Sequence, residues 1–324
     1  AYSLMPVGER LASFLKEDVI VPDDCVGSGV EKLMKDQEQN QIILLENLRF
    51  HIEEEKNDPK FALRLKSVTD VFVNDAFGAM HRAHASTDAL PRLYQQKAIG
   101  RLVEKELQFL SRLTEKPERP YAVILGGAKV SDKLKVIENL VRKVDRIFLG
   151  GAMVFTFLKA LGFRVGDSLV ENSMLIQVER AMDAARKKDV DIIFPSDFAL
   201  GKSVENPGEC HFTKDKNIPE GFMGLDVGPK TIEDFCKRLE DCQTVFWNGP
   251  LGLFEKAPYD QGTVAIAKFL GELSCTKVLG GGDSAAAAAK AGVTELMTHV
   301  STGGGATLEF LEGRTLPGLQ ALAV

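Results

Sequence analysis

Short runs of apolar, β-branched residues alternate along this chain with longer segments whose apolar residues recur at helical spacing. The short runs are nearly continuous in apolar residues, as expected for strands that are buried on both faces of a parallel sheet. Intervening segments such as LIQVERAMDAARKKD carry one apolar and one polar face, which is typical of covering helices. The alternation predicts an α/β chain with doubly wound parallel sheets. The predicted strands are 42–50, 71–78, 121–127, 146–151, 191–198, 244–250, 277–283 and 299–306.

A charged helical stretch at 99–120 separates two unequal parts of the chain. Few predicted strands precede it and six follow it. A length of 324 residues also suggests about two domains. At the start of the chain, apolar residues from Leu4 to Leu15 have helical spacing, and Ser3 is the predicted N-cap.

Composition and charge narrow the class of protein. With 44% hydrophobic and 27% charged residues and a net charge of −6, the chain has the composition of a soluble globular protein. We expect neither a nucleic-acid partner, which would need a basic surface, nor a membrane span, which would need about 20 consecutive apolar residues. Scattered cysteines without a CxxC pair predict reduced thiols in a cytoplasmic protein, and neither a disulfide framework nor a zinc site. They are Cys25, Cys210, Cys236, Cys242 and Cys275.

Glycine clusters follow five of the predicted strands in the second part of the chain. Their sequences are LGGAK, LGGAM, WNGPLG, LGGGDS and STGGGA. Ligands of open parallel sheets bind outside the carboxyl ends of the strands, where the following helices present unpaired N–H groups. Glycine allows a phosphate to approach that backbone closely. The five clusters therefore predict a crevice for phosphates or a nucleotide.

The residues around these clusters favour a magnesium nucleotide. A Walker A loop is absent, and Gly280-x-Gly282-x-x-Ala285 resembles a dinucleotide fingerprint but lacks an acid about 20 residues on for a ribose hydroxyl. Asp283 instead follows the glycines, and a carboxylate beside phosphates implies a divalent cation between them. Lys129 and Lys133, four residues apart, are expected to share one helical face and to neutralise a migrating phosphoryl group.

Histidines leave other chemistry open. His81 and His84 flank Arg82 and could form a metal pair or supply a general base, but we expect them to lie at the surface or behind the substrate residues. His299, before the STGGG turn, is expected to be structural, and Trp247 to be a core residue whose indole N–H needs one partner.

The segments LGGAKVSDK, FLGGAM, MGLDVGPKT, WNGPLGLFE, LGGGDS and VSTGGGATLEFLEGRTLPG resemble the signature segments of the phosphoglycerate kinase family, in that family's order. LLENLRF and VNDAFGAMHRAHAST resemble two segments of its N-terminal domain. The resemblance implies a monomeric enzyme with two α/β domains facing a cleft. The first would bind 3-phosphoglycerate or 1,3-bisphosphoglycerate, and the second ADP or ATP with Mg²⁺. Hinge closure would allow direct in-line transfer without a phosphoenzyme.

The fold implied is two doubly wound, Rossmann-like parallel-sheet domains joined by a hinge helix, with the first incomplete. The expected ranges are 1–104 for the phosphoglycerate domain, 105–310 for the nucleotide domain, and 311–324 for a segment that returns to the first.

The resemblance also implies roles for single residues. For transfer they are Lys129, which contacts the migrating group, and Gly303, Gly304 and Gly305, whose N–H groups face it. For the nucleotide they are Lys133, Gly224, Asn248, Pro250, Glu255, Gly281, Gly282, Asp283 (also the Mg²⁺ ligand) and Ser284; for the phosphoglycerate, Arg49 and Arg82.

The start of the chain departs from the family pattern. The family's opening Asp-x-Asn strand and His-Leu-Gly-Arg-Pro turn are absent, and Ala1-Tyr2-Ser3-Leu4 aligns just after that turn. We therefore expect nucleotide binding with slow or absent transfer for the sequence as it stands. The alternative functions are a catalytically impaired nucleotide-binding fragment of the enzyme and, on GGGDSA alone, an NAD-dependent oxidoreductase.

Overall fold

Residues 2–67 and 69–323 are described by a computed structural model. The chain divides into a smaller unit, Ala1–Glu104 with Thr315–Val324, and a larger unit, Lys105–Arg314. Residues 1, 68 and 324 lie outside the described residues. The predicted range 1–104 includes the first two, and the predicted range 311–324 includes the third. No helix in the described part of the chain is long and apolar enough to cross a membrane.

The smaller unit contains short helices and two pairs of parallel strands. Its helices are α1 Met5–Leu15, α2 Ser28–Lys35, α3 Ile52–Glu55, α4 Pro59–Lys66 and, near the C-terminus, α13 Pro317–Leu322; α5 Arg101–Glu115 begins here and continues into the larger unit. Its strands are β1 Val19–Ile20 paired with β2 Ile42–Ile43, and β3 Phe72–Asn74 paired with β4 Lys97–Ile99. Single turns of other helix types lie at Leu48–Phe50, Phe77–Ala79, Ala85–Ala89 and Pro91–Leu93.

The larger unit alternates strands and helices as the sequence predicts. Its strands are β5 Tyr121–Leu125, β6 Arg146–Leu149, β7 Asp191–Ile193, β8 Phe198–Gly201, β9 His211–Phe212, β10 Met223–Val227, β11 Thr244–Asn248, β12 Thr276–Gly280 and β13 His299–Ser301. Its helices are α6 Leu134–Leu140, α7 Val154–Ala160, α8 Leu175–Lys187, α9 Pro229–Leu239, α10 Gln261–Glu272, α11 Gly282–Ala291 and α12 Gly304–Leu311, with 3₁₀ turns at Asn172–Met174 and Thr294–Leu296.

Six strands of the larger unit form one sheet in the order β13-β12-β11-β5-β6-β7, and every neighbouring pair is parallel. All residues of the central strands β5 and β11 are buried, because helices cover both faces of a parallel sheet. Successive strands are added on one side of β5 from β5 to β7 and on the other side from β11 to β13. The carboxyl ends of β5 and β11 therefore mark the topological switch point of the sheet. The predicted doubly wound α/β class is confirmed.

The core of the larger unit contains the single tryptophan of the chain. Trp247 is fully buried, and its indole Nε1–H donates to the carbonyl of Gly249 at 2.7 Å, as expected for a core tryptophan. Phe148 and Phe235 pack edge to face nearby, with ring centroids 5.0 Å apart.

Several of the predicted strands were wrong in extent. The segments 71–78, 277–283 and 299–306 are strands only at Phe72–Asn74, Thr276–Gly280 and His299–Ser301. In the segment 42–50 only Ile42–Ile43 is a strand, because Asn47 accepts a hydrogen bond from the backbone N–H of Arg49 and initiates a 3₁₀ turn. The segment 191–198 is split between the main sheet and an antiparallel three-stranded sheet of order β10-β8-β9. Pro195 separates the two parts, since proline cannot donate to a sheet ladder.

The predicted N-cap of the first helix was also wrong. Leu4 occupies the N-cap position of α1 without a side-chain cap. The hydroxyl of Ser3 instead donates to Glu46 Oε2 at 2.6 Å, and Glu46 also accepts the Leu4 N–H at 2.7 Å. Ser3 Oγ still accepts the Met5 N–H at 3.2 Å, while Glu46, distant in sequence, holds both Ser3 and the Leu4 backbone.

Candidate active site

The glycine turns after β5, β11, β12 and β13 adjoin one another at one edge of the main sheet. The register places Asn248 opposite both Leu125 and Gly280, and Gly280 opposite Ser301. Because these strands are parallel and adjacent, the loops that follow them lie side by side. The predicted crevice at the carboxyl ends of the strands is therefore present within the larger unit.

A cavity of about 490 Å³ lies among these turns. It is lined by glycine backbone together with two lysines, one amide and the carboxylates of Asp132 and Asp283, a set of groups suited to phosphates and a cation. The lining residues that the sequence predicted are Lys129, Lys133, Asn248, Gly281, Gly282, Asp283, Ser284 and Gly304.

Lys133 reaches this cavity from a turn and Lys129 from the irregular segment before that turn, so neither lysine lies within a helix. The segment 131–133 is a hydrogen-bonded turn and α6 begins only at Leu134, so the predicted shared helical face was wrong. Val130 accepts the N–H groups of both Lys133 and Leu134 at 2.9 Å and closes that turn. The Glu171 carboxylate also stabilises this turn, because it accepts the Ser131 backbone N–H at 3.0 Å and the Ser131 hydroxyl at 2.7 Å.

Lys133 lies deep in the cavity and is paired with an amide. The Lys133 Nζ donates to Asn248 Oδ1. The Nδ2 of Asn248 donates in turn to the Gly280 carbonyl at 2.6 Å. Burial lowers the pKa of Lys133 to about 8, although the nearby carboxylates of Asp132 and Asp283 act in the opposite direction. An anion in the cavity would favour the charged ammonium, so this lysine is poised to respond to a phosphate.

The glycines fall into two groups according to what a side chain would meet. At Gly126 a Cβ would collide with the Pro250 carbonyl, and at Gly281 φ is +92°, so the protein itself requires glycine there. At Gly282 no protein atom lies within 4 Å of such a Cβ, and at Gly304 the nearest atom is the Gly281 Cα at 3.6 Å. The space beside Gly282 and Gly304 is therefore free for a ligand.

The STGGG turn is anchored by a buried carboxylate that the sequence analysis missed. Gly303 is the N-cap of α12, and its N–H donates to Ser301 Oγ at 3.2 Å. Gly304 and Gly305 begin the helix, where N–H groups have no intrahelical partner. Glu106 accepts from both the N–H and the hydroxyl of Thr302, at 2.7 and 2.8 Å, and so fixes the start of the turn.

Ser284 connects two of the other turns. Its hydroxyl oxygen accepts the Gly249 N–H at 2.7 Å, and its side chain is completely buried. The WNGP turn is therefore tied to the first turn of α11, which also carries Asp283.

A second cavity, of about 460 Å³, shares Gly127, Ala128 and Asp283 with the first. Its walls are mostly apolar, with Glu255 as one of its few acids. Sequence-predicted residues on its lining are Gly224, Pro250, Glu255 and Asp283. A Cβ at Gly224 would collide with the Phe155 ring, a wall residue that the sequence analysis did not identify.

Asp226 forms part of the same wall and was also missed. Its Oδ2 accepts the Gly262 N–H at 2.7 Å, and its Oδ1 accepts the Val227 N–H at 2.9 Å. Burial raises the pKa of Asp226 to about 8, which outweighs the two backbone hydrogen bonds. The only signal in the sequence was its place in MGLD, two residues after Gly224.

Arg49 and Arg82 belong to the smaller unit, and both lie within electrostatic range of His84. Burial lowers the pKa of His84, the Glu54 carboxylate 4.0 Å away acts against this, and the two arginines reinforce it. The guanidinium of Arg49 is half exposed and lies 3.9 Å from Glu55. Two arginines and two glutamates therefore act on the same histidine, and the arginines are the groups there that could bind an anion.

A family model for phosphoglycerate kinase matches residues 1–314 of the chain. This chain belongs to the phosphoglycerate kinase family. A phosphoglycerate kinase of an Anaeromyxobacter species is 50% identical over 321 residues, covering 99% of this chain and 81% of the relative. The Clostridium botulinum phosphoglycerate kinase is 46% identical over 322 residues, with the same two coverages.

Solved structures of this family resemble the fold as well. Phosphoglycerate kinase from Coxiella burnetii has a TM-score of 0.86 at 36% identity, covering 99% of this chain and 80% of the other. The Pyrococcus horikoshii enzyme has a TM-score of 0.83 at 31% identity, covering 99% and 82%. The chain therefore carries the function of a glycolytic kinase, a phosphotransferase with a carboxyl group as acceptor.

Proposed function

We propose that the larger unit binds ADP or ATP across the two adjoining cavities, and that the smaller unit binds the phosphoglycerate through Arg49 and Arg82. The observation that carries the nucleotide assignment is the free space beside Gly282 and Gly304, next to Lys129, Lys133 and Asp283. The apolar cavity with Gly224, Pro250 and Glu255 suits a base and a ribose, and the glycine-lined cavity suits the phosphates.

Asp283 is the proposed ligand for Mg²⁺. Its carboxylate lines both cavities, close enough to Lys133 to influence its pKa. Phosphates beside an uncompensated carboxylate would be repelled, so the residues fit a divalent cation held between them. When bound, Mg²⁺ neutralises charge on the phosphate oxygens.

The chain's own residues would act by positioning and by charge. In the direction of ATP synthesis, the bond between the acyl oxygen of 1,3-bisphosphoglycerate and phosphorus breaks, and a β-phosphate oxygen of ADP forms a new bond to that phosphorus. The leaving carboxylate and the attacking oxygen need no proton transfer, so no general base is required. Lys129 and the N–H groups of Gly304 and Gly305 are the proposed groups that face the charge on the migrating phosphoryl, whereas the Gly303 N–H is already bonded to Ser301 Oγ.

The cellular assignments are also proposals. Membership of a glycolytic kinase family and five free thiols support a cytoplasmic location. We propose a monomer, and the hinge closure implied by the resemblance stays a prediction.

A coupled assay with 3-phosphoglycerate, ATP and Mg²⁺ tests the function. For the sequence as it stands we expect 1,3-bisphosphoglycerate to form slowly at most, and Lys129→Met to abolish or strongly reduce whatever transfer the wild type shows. Lys135→Met is the matched control, because Lys135 is an exposed lysine six residues further along and lies outside the cavity.

Calorimetry with Mg-ADP separates nucleotide binding from phosphoryl transfer. Nucleotide binding without transfer would confine the function to binding, and no binding by the folded chain would contradict the site.

A further inference from the structure

Asp24, Cys25 and His51 form a cluster in the smaller unit, and none of them lines either cavity of the larger unit. Within residues 2–67 and 69–323 it is the one group of three His, Cys, Asp or Glu side chains whose ligand atoms lie within 4.8 Å of one another. Asp24 Oδ1 lies 2.6 Å from His51 Nε2. The fold thus assembles an oxygen, a sulfur and a nitrogen donor from two segments of the chain.

The three side chains are held in place by the core and by backbone contacts. Cys25 and Phe61 belong to one buried cluster, and the His51 ring packs against Phe61 with centroids 5.3 Å apart. The Cys25 backbone N–H donates to Asp24 Oδ1 at 2.6 Å and orients that carboxylate. His51 ends the 3₁₀ turn Leu48–Phe50 and precedes α3, so its backbone is also fixed. Such preorganisation is what a metal site requires of its ligands.

Exposure of the cluster suits a small ion and not a larger substrate. The side chain of Asp24 is 49% exposed and that of His51 is 23% exposed, whereas Cys25 is 1% exposed. A carbonyl or disulfide electrophile could not reach the sulfur, which argues against a Cys–His nucleophilic pair. A metal ion could reach it from the side of the carboxylate and imidazole.

We propose that Asp24, Cys25 and His51 bind Zn²⁺ or a similar thiophilic divalent ion, with water as the fourth ligand. Thiolate, imidazole and carboxylate are the three ligand types of protein-bound zinc, and three protein ligands plus water is an established arrangement. A thiolate and a carboxylate together balance the charge of the ion. Binding transfers the thiol proton to solvent, since the thiolate is the ligand.

A zinc site at this cluster would overturn the expectation of none, which rested on the absence of a CxxC pair. The ligands come from the adjacent residues Asp24 and Cys25 and from His51, which is 26 residues after Cys25. No short sequence motif has this spacing. Bound metal would tie the turn that carries Arg49 to the segment containing Asp24 and Cys25.

The chain offers a matched control for the test. Glu209, Cys210 and His211 present the same kinds of side chain consecutively, with His211 Nε2 3.9 Å from Glu209 Oε2. Their donor atoms do not form a group by the same geometric criterion. A site made by composition alone would bind at both places, whereas a site made by geometry would bind only at the first.

Titration of the reduced, metal-free full chain with Co²⁺ is the direct experiment. We expect one equivalent to bind, with a thiolate-to-cobalt charge-transfer band and the visible bands of four-coordinate cobalt, all displaced by Zn²⁺. Excess Mg²⁺ should not displace them, because it prefers an all-oxygen site. His51→Gln and Asp24→Asn should each weaken binding at least about tenfold, the loss expected even for a supporting residue.

Cys25→Ser should remove the charge-transfer band, whereas Cys210→Ser and His211→Gln should leave the titration unchanged. If Cys25→Ser does not fold, the partly exposed His51 and Asp24 variants decide, with circular dichroism as the check on folding. The absence of a band in the wild-type chain would overturn the proposal. So would a band that survives Cys25→Ser, or one lost in Cys210→Ser.

Discussion

Glu106 and His299 form a buried pair, with Glu106 Oε2 2.8 Å from His299 Nε2 although 193 residues separate them. The carboxylate is 1% exposed and the imidazole 6%. His299 also stacks on Phe109, with centroids 4.6 Å apart. Because Glu106 accepts two further hydrogen bonds from Thr302, the pair joins helix α5, strand β13 and the STGGG turn into one network.

Removal of the Glu106 carboxylate should destabilise the larger unit. We expect Glu106→Ala to cost about 3–5 kcal/mol, as is typical when one partner of a buried pair is removed. Glu106→Gln should cost less, about 1–3 kcal/mol, because an amide still accepts part of the network. Urea unfolding followed by Trp247 fluorescence measures both. Glu104→Gln, an exposed glutamate on the same helix, should change stability by less than about 0.5 kcal/mol.

The pH dependence of this pair has a defined direction. Burial acts to raise the pKa of Glu106, but hydrogen bonds from His299 and Thr302 outweigh it and hold the pKa below its usual value. The contribution of Glu106 to stability is therefore present above about pH 4.3 and is lost as the pH falls through the folded-state pKa. Equal acid sensitivity in the wild type and Glu106→Gln would contradict this account.

Lys133 should make nucleotide affinity depend on pH. Its pKa of about 8 means that the ammonium loses its proton as the pH rises through that value, and an uncharged amine attracts phosphate less. We expect Mg-ADP affinity to fall between pH 7 and 9 in the wild type. Lys133→Met should weaken binding by roughly 10–100-fold, the equivalent of about 1.5–3 kcal/mol for a charged hydrogen bond, and should abolish this pH dependence.

Calorimetry at several pH values measures the effect, with Lys135→Met as the control that keeps both affinity and pH profile. A pH profile that survives in Lys133→Met would assign the titration to another group.

Alanine at Gly282 or Gly304 should separate binding from stability. Because the protein leaves room for a Cβ at both positions, we expect unfolding free energies within about 1 kcal/mol of the wild type. Mg-ADP affinity should fall at least about tenfold, since the methyl group would occupy the space assigned to phosphate. Gly29→Ala is the matched control, as Gly29 lies in the first turn of α2 with no atom within 4 Å of a Cβ.

Unchanged affinity in both Gly282→Ala and Gly304→Ala would show that no ligand group approaches this backbone. A large loss of stability would instead mean that these glycines serve the fold.

Arg82 should affect the phosphoglycerate and leave the nucleotide unaffected. Replacement by methionine removes a charged donor in the smaller unit, so we expect the KM for 3-phosphoglycerate to rise by roughly 10–100-fold with little change in the KM for ATP. Steady-state kinetics with each substrate varied in turn measures this. Arg92→Met is the control, because Arg92 is already paired with Asp88 at 2.7 Å. A parallel rise in both KM values would contradict the assignment.

The sequence revealed those features that depend on local pattern. Strand ends followed by glycine located the glycine-lined cavity, because parallel strands place all their carboxyl ends at one edge of a sheet. The lysines of LGGAKVSDK were placed near that edge correctly but on the wrong type of backbone. Helical spacing alone could not show that α6 begins at Leu134, after the turn has delivered Lys133 to the cavity.

Features that depend on distant partners could not be predicted. Glu106 has the appearance of any helical glutamate, and only the folded chain brings it to His299 and Thr302. The same is true of Ser3, whose hydroxyl donates to a carboxylate far along the chain and which lies one residue before the N-cap position. Local propensity is overridden in each case by a partner that sequence spacing does not reveal.

Asp226 should make the larger unit less stable as the pH rises. Burial raises its pKa to about 8, whereas the unfolded chain releases this proton near pH 3.9. The stabilising contribution of the protonated form is therefore complete below about pH 4 and is lost as the pH rises through 8, with a slope of up to about 1.4 kcal/mol per pH unit. Asp226→Asn should remove this slope. It should also lose one backbone hydrogen bond, which costs about 1 kcal/mol of stability at every pH.

Urea unfolding followed by Trp247 fluorescence from pH 5 to 8 measures both effects, with the exposed Asp183→Asn as control. Parallel stability curves for Asp226→Asn and the wild type would show that the carboxyl group is ionised in the folded protein, stabilised by the N–H groups of Gly262 and Val227.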